Sequence, residues 1–314
     1  MAAGAAPLDL RHLQAIGLPM VRCDESSSKQ GNAVVPTSTA PKAQQAPAAQ
    51  QPRADPPPAV TAAGESKTEQ LFLTDTFLFE LGSCEILEAV LAPDAAADGK
   101  LKMTVVLNRT IFHPQGGGQP ADIGKLTAGG LPDLLVSFTS LRKEDGAILH
   151  DCSGEEAELK AWRDAVGKVQ VTCCIDETRR RMAARVHSAG HLLDAAVTAV
   201  GLKWVPGKGY HFPDGPYVEY SLNEESRKVD PKKAGDKEAI VADIQSNIDR
   251  LLMEGGAVTV EYRDGRRHVT MAGEECPCGG THVAELKQIG AIEVKKLQNK
   301  QGNVRLSYTV AAAA

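Results

Sequence analysis

An α+β fold is what this sequence predicts, a small β-barrel-like domain followed by a larger α+β domain, and three observations predict it. Short apolar stretches broken by Gly, Pro and Asp recur at intervals near ten residues from Leu71 to about Lys168, as in the strands of a small barrel. Two amphipathic helical patterns follow, one running through RRRMAARVHSAGHLLDAA and one over 236–254. Strand patterns come after them without regular alternation of strand and helix, which argues against a doubly wound parallel sheet.

The chain divides into three parts. Residues 1–68 contain APKAQQAPAAQQPRADPPPAV, a run of Pro, Ala and Gln that cannot bury enough apolar surface to offset the entropy of ordering, so a disordered extension is expected. Only 10–20 could form a short helix there. Residues 69–168 are the barrel-like part, with strands expected in LFLTDTFLFEL, CEILEAVLA, KMTVVLNRTIF, DLLVSFTSL and GAILHD. Within it lies HPQGGGQP, residues 113–120. Three consecutive glycines suit either a flexible loop or a chain that must approach a ligand closely.

Residues 169–314 form the third part. Val169, Val171, Cys173 and Ile175 alternate as a strand, and the helix after them takes Asp176 as N-cap and Gly201 as C-cap. Its core stripe is Met182, Val186, Ala189, Leu193, Ala196 and Val200, with steps of three and four. GLKWVPGKGYHFPDGPYVEYSLN reads as an aromatic hairpin. The 236–254 helix points Val241, Ile244, Ile248 and Leu251 inward, and AVTVEYR, GAIEVKKLQ and NVRLSYTV are strands, the last two joined by a turn at 299–302.

His187 and His191 lie four residues apart on the first helix, on a face beside the core stripe. That spacing stacks two imidazoles one turn apart, within reach of one metal ion. Cys278 and His282, in CPCGGTHV, supply a thiolate and a third imidazole, with 86 residues separating the two pairs. Together the four are a zinc-type set of intermediate softness that only a tertiary fold can assemble, and one Zn2+ per chain is expected. The adjacent Cys276 is a second thiol that could compete as ligand. The residue after His187 is Ser188, so the glutamate base of a zinc peptidase is missing.

Composition narrows the classes. Seven cysteines without framework spacing argue against a disulfide scaffold. There is no apolar run of membrane-spanning length and no compact secretory signal, so a protein with no membrane role is expected. Cytoplasmic placement is favoured over organelle import because Asp9, Asp24 and Glu25 interrupt the Arg- and Ser-bearing start. The net charge is −5, with 9 basic and 16 acidic side chains in 69–168 but 20 and 19 in 169–314. There the cations cluster: Arg179, Arg180, Arg181 and Arg185; Arg263, Arg266 and Arg267; Lys295, Lys296, Lys300 and Arg305. Such clusters grip phosphates or simply form a solvated surface.

With HPQGGGQP, HSAGH and CGGTH in one chain in this order, the sequence resembles the free-standing alanyl-tRNA editing proteins. These are similar to the editing part of alanyl-tRNA synthetase and share a core with that of threonyl-tRNA synthetase. The likeness runs from about Leu71 to Val310, and PGKGYHFPDGPYVEY looks like the plant and algal members in particular. The resemblance implies an α+β editing domain of the threonyl/alanyl-tRNA synthetase type and a trans-editing hydrolase. Its substrates would be seryl and, secondly, glycyl esters on the acceptor end of tRNA for alanine, with no obligate protein partner. It also places zinc on His187, His191, Cys278 and His282 and a substrate loop on Gly116, Gly117, Gly118 and Gln119. Gln119 and Thr281 are then the candidate catalytic residues lining the pocket, and Lys208 and Tyr210 the candidates nearer the tRNA. No ATP-binding synthetase segment is legible, so deacylation without charging is expected. A non-catalytic, zinc-stabilised RNA-binding module and a hydrolase of small esters are the rival readings.

Overall fold

The structure is a computed structural model that describes residues 67–95, 100–230, 232–300 and 302–312. The expected extension lies outside the described residues up to residue 66. A two-residue strand β1 (Glu69–Gln70) runs parallel to β4 (Arg109–Thr110). The barrel itself is closed and antiparallel, built from β2 (Glu80–Ala95), β3 (Leu101–Leu107), β5 (Gly124–Ala128), β6 (Leu134–Arg142), β7 (Ala147–Gly154) and β8 (Gln170–Ile175) in the order β2-β3-β7-β6-β5-β8. Alternate residues of β3, β7 and β8 point inward, so Met103, Val105, Cys152, Val171 and Cys173 fill the interior. Three features depart from the sequence reading, the first being β5, a short strand it does not include. Leu71–Leu73 is a 3-10 turn instead of a strand. Glu156–Asp164 is a helix, α1, that buries Leu159 and Trp162 against the barrel. Its nine residues carry only those two core side chains, and its start rests on a Glu155/Glu158 capping box, a polar signal that apolar periodicity misses.

Thr68, just ahead of the 69–168 segment, is fully buried and its hydroxyl donates to the Leu107 carbonyl at 2.8 Å. One strand of the barrel falls outside that segment: β8, which pairs with β2 and β5, closes the circle beyond 168. A single strand therefore serves as barrel wall and as the lead into the histidine helix.

That helix, α2 (Glu177–Ala199), starts as expected on Asp176, whose carboxylate accepts the Arg179 N–H at 2.9 Å, and ends ahead of the left-handed Gly201. After it come β9 (Val205–Tyr210), β10 (Tyr217–Ser221), α3 (Asp236–Glu254), β11 (Thr259–Arg263), β12 (Arg266–Met271), β13 (Glu274–Pro277), β14 (Ile292–Lys300) and β15 (Asn303–Val310). One sheet has the order β14-β15-β10-β9, and α2 and α3 pack on it through Val186, Leu193, Tyr220, Ile244, Ile248 and Leu306. A second sheet, β11-β12-β13, includes two strands the sequence reading lacks. β12 is RRHVTM, whose two leading arginines mask its alternation, and β13 spans four residues. β13 hands the chain directly to Cys278.

The barrel and the α+β layers meet at the start of α2. Arg180, without any exposed surface, forms an ion pair with the equally buried Asp122 of the barrel and donates to the Thr76 carbonyl at 2.9 Å. Arg267 of β12 donates to the Leu73 carbonyl at 2.9 Å and to the Cys278 carbonyl at 2.6 Å. Two of the clustered arginines thus act as internal struts, contrary to their reading as phosphate-gripping or solvated surface. Among the described residues no helix is long and apolar enough to cross a membrane.

Candidate metal centre and active site

The two histidines of α2 meet the segment after β13. One ligand atom from each of His187, His191, Cys278 and His282 lies within 4.8 Å of the others. The Val283 N–H donates to the Ser188 hydroxyl at 3.1 Å, and the His282 N–H donates to Thr76 Oγ1 at 3.3 Å. These bonds pin the Cys-Gly-Gly-Thr-His segment to the helix and to the barrel. Gly280 has to be a glycine, since a Cβ there would lie 2.1 Å from His187 Cε1. His187, Cys278 and His282 are buried; His191 is half-buried and marks the open side.

The donor set fits a divalent cation. Both ring nitrogens of His282 are buried without a hydrogen-bond partner among the described residues, an arrangement that is costly unless something else satisfies one of them. Burial, reinforced by its histidine and arginine neighbours, holds the His282 imidazolium well below the usual histidine range. The same burial, followed by His211, acts on His187, and burial followed by Arg267 brings His191 down to about 4. Neutral imidazoles are the form that ligates. Burial pushes the Cys278 thiol up, against the Gly280 N–H at 3.4 Å and the charge of Arg267, so a thiolate here needs a cation beside it. Tetrahedral sites of three imidazoles and one thiolate suit zinc.

Gln119 completes the site from the glycine-rich loop. Its Oε1 accepts the Thr281 backbone N–H at 3.0 Å, which fixes which way the amide points, and also faces His187 Nδ1 at 2.8 Å. His187 must therefore donate from Nδ1, leaving Nε2, 3.5 Å from Cys278 Sγ, as its metal-facing nitrogen. Gln119 Nε2 donates to Thr281 Oγ1 at 2.8 Å. Gln119 is fully buried, with both ends of its amide engaged. The Thr281 hydroxyl keeps its own proton without an acceptor among the described residues. Gly116 and Gln119 close a tight loop by mutual backbone bonds of 3.2 and 2.9 Å, with Gly117 and Gly118 at positive φ. Gly118 sits where a Cβ would lie 2.4 Å from the Gly209 carbonyl oxygen, while Gly116 and Gly117 are exposed at the tip. Lys208 and Tyr210 lie on β9; no hydrogen bond or ion pair among the described residues ties either to the metal cluster.

Two neighbours went unassigned in the sequence reading. His211 stacks on His187 with ring centroids 4.5 Å apart. Tyr308 donates to the Val186 carbonyl at 2.9 Å, so it accepts from His211 Nδ1 at 2.8 Å. A signal for this was legible: Gly190 sits in mid-helix, where glycine is unfavourable by about 1 kcal/mol, because a Cβ would lie 2.3 Å from His211 Cε1. Cys276, the other thiol, lies 3.3 Å from His191 Nδ1 and outside the four-atom cluster, with burial pushing it up to about 12. It neighbours a ligand.

A family model described as the second additional domain of threonyl and alanyl tRNA synthetase matches residues 267–306, which include Cys278 and His282. An alanyl-tRNA editing protein AlaX-M from Methanosarcina barkeri is 28% identical over 267 residues, covering 77% of this chain and 99% of the relative. Its counterpart from Pyrococcus horikoshii is 29% identical over 214 residues, covering 64% and 84%. Over most of its described length the chain is similar to free-standing alanyl-tRNA editing proteins. It is also 26% identical over 233 residues to the alanine–tRNA ligase of Methanosarcina acetivorans, covering 67% of this chain but 23% of that protein. The chain thus spans about a quarter of the length of the ligases it matches.

Proposed function

We propose that this chain hydrolyses the ester of mischarged tRNA for alanine, with seryl-tRNA as principal substrate and glycyl-tRNA as a second one. The observation that carries the reading is the joining of Gln119, His187 and Thr281 into one hydrogen-bonded unit beside the four-ligand cluster, in a chain whose editing-protein relatives match along most of their own length. His187, His191, Cys278 and His282 would hold one Zn2+. When bound, the ion supplies positive charge that can orient a substrate amine or carbonyl.

The remaining work falls to the protein. An aminoacyl ester is already activated, so the site must chiefly hold the carbonyl in register with a water and stabilise the charge that develops. Gln119 holds His187 in one tautomer and holds Thr281 in place. The Thr281 proton is then the free donor, directed at the one group that distinguishes serine from alanine, the side-chain hydroxyl. A buried donor left unpaired when alanine enters discriminates more strongly than a methylene-sized pocket would. Gly118 lets the loop lie against β9, and the exposed backbone of Gly116 and Gly117 is left for the substrate.

The test is deacylation by the zinc-loaded full chain of seryl-tRNA, glycyl-tRNA, alanyl-tRNA and a free seryl ester, alongside ATP-dependent charging. Hydrolysis of seryl-tRNA, with alanyl-tRNA spared, the free ester untouched and no charging, is expected. Thr281→Val should narrow the serine to alanine ratio by at least tenfold. RNA affinity without any hydrolysis would replace the proposal with a non-catalytic module, and brisk turnover of the free ester would replace it with a general esterase.

A further inference from the structure

A cavity of about 280 Å3 is lined by Pro120, Arg179, Met182, Ala183, Phe212, Pro213 and Asp214. Its walls are mostly apolar. Three of its residues are direct neighbours of the site. Pro120 follows Gln119 and Phe212 follows His211, while Ala183 precedes His187 by one helical turn, a rise of about 6 Å. The cavity is thus lined by chain neighbours of Gln119, His211 and His187.

Its aromatic wall is held in place from behind. Tyr210 stacks on Phe212 with centroids 4.5 Å apart and planes 11° from parallel. Tyr217 stacks on Tyr210 at 5.4 Å, and the Arg305 guanidinium lies 3.9 Å over the Tyr217 ring. This ladder covers one face of Phe212 and fixes the plane of its ring, leaving the ring to line the cavity. At the rim, Arg179 is anchored by its Nε, which donates to the Ala121 carbonyl at 2.9 Å. Its two terminal nitrogens have no partner among the described residues. A rigid aromatic face with a cation at the rim, in an otherwise apolar slot, suits a planar heteroaromatic base carrying a phosphate.

We propose that this cavity is a nucleobase subsite that takes the terminal adenine of the tRNA acceptor strand, stacked on Phe212, with Arg179 holding the phosphate on its 5′ side. The inference rests on the deacylase reading and deepens it: the ester is carried on the ribose of that adenosine, so a base seated one helical turn from His187 brings the ester to the cluster. Tyr210 then acts as a positioning residue behind Phe212, a different role from direct contact with RNA.

The experiment is fluorescence anisotropy with uncharged hairpin RNAs ending in CCA or in CC, using the full zinc-loaded chain. Wild type should bind the CCA end roughly 5- to 150-fold more tightly, the range for one base stacked on an aromatic ring. Phe212→Ala should abolish that preference without changing affinity for the CC end, and Phe212→Trp should restore it. Arg179→Gln should weaken the CCA end and lower its salt dependence. Unchanged zinc content and circular dichroism identify the variants as folded. Absence of a terminal-adenosine preference in the wild type, or its persistence in Phe212→Ala, overturns the proposal. So does displacement by free adenosine monophosphate at concentrations below those at which the CCA hairpin competes, which would make the cavity a free-nucleotide site. A wild type that deacylates seryl-tRNA yet ignores the terminal adenosine refutes the subsite alone. One that prefers the adenosine but never deacylates refutes the deacylase reading alone.

Discussion

Replacing Gln119 by alanine is the sharpest probe of how the glycine-rich loop and the metal cluster depend on each other. The change removes three hydrogen bonds at once: two accepted by Oε1, from His187 Nδ1 at 2.8 Å and the Thr281 N–H at 3.0 Å, and one donated to Thr281 Oγ1 at 2.8 Å. The position has no exposed surface. A buried donor left without an acceptor costs about 1–3 kcal/mol, and removal of a partner that orients a metal-bound histidine lowers metal affinity about 10- to 100-fold. That loss corresponds to about 1.4–2.8 kcal/mol; the cost of the orphaned Thr281 N–H should appear as reduced stability of the metal-free protein. Zinc affinity is measured by competition against a chromophoric chelator, and stability by urea unfolding in the chelator's presence. Gln119→Glu keeps both acceptor bonds, lets the Thr281 hydroxyl turn and donate, and should retain zinc. If Gln119→Ala binds zinc within about twofold of wild type while hydrolysis collapses, Gln119 acts on substrate and its assignment to His187 is wrong.

Three further outcomes follow from the geometry. Gly190→Ala should destabilise the protein by about 1–3 kcal/mol, as overpacking does, despite the better helix former, because the new Cβ meets the His211 ring; a more stable variant in urea would refute the stacked His187–His211 arrangement. Asp122→Ala should cost about 3–5 kcal/mol by leaving the Arg180 guanidinium buried and unpaired, whereas unfolding within 1 kcal/mol of wild type would mean that water reaches it. For pH, Arg142, and after it Lys67, holds the Glu88 carboxyl down at about 2. A depressed carboxylate contributes stability above its unfolded value of 4.5 and loses it as pH falls toward 2. With the pair's partial exposure the difference between wild type and Glu88→Gln should be about 1 kcal/mol at neutral pH and vanish near pH 2. A difference that stays constant would remove the ion pair as its cause.

The parts of this architecture that were legible in the sequence are those with long period or rare residues. α2, α3 and the β9–β10 hairpin carry sustained amphipathic or aromatic patterns, and the four ligands stand out because histidine and cysteine at such spacings are rarely needed by a core. What stayed hidden is short or polar. α1 and β12 carry too few apolar residues to register, and the membership of β8 in the barrel depends on pairing with β5 and β2, strands far back in the chain. The role of Gln119 was hidden for another reason: a glutamine after three glycines advertises a loop, while its partners His187 and Thr281 lie 68 and 162 residues away.

The wide spacing of the ligands also sets the order in which the molecule can be completed during synthesis. His187 and His191 follow all six barrel strands in the chain, but Cys278 and His282 trail them by most of a hundred residues. At about 5–20 residues per second, the half-site waits for several seconds with two imidazoles and no thiolate. Until then the Arg180–Asp122 pair and the bond from Arg179 to the Ala121 carbonyl hold α2 against the barrel. The segment after β13 brings the remaining pair while β14 and β15 have still to follow, so a nascent chain would acquire a metal ion only late in its synthesis. Metal capture would then report a chain extended past His282, and chains stalled before Cys278 should emerge metal-free.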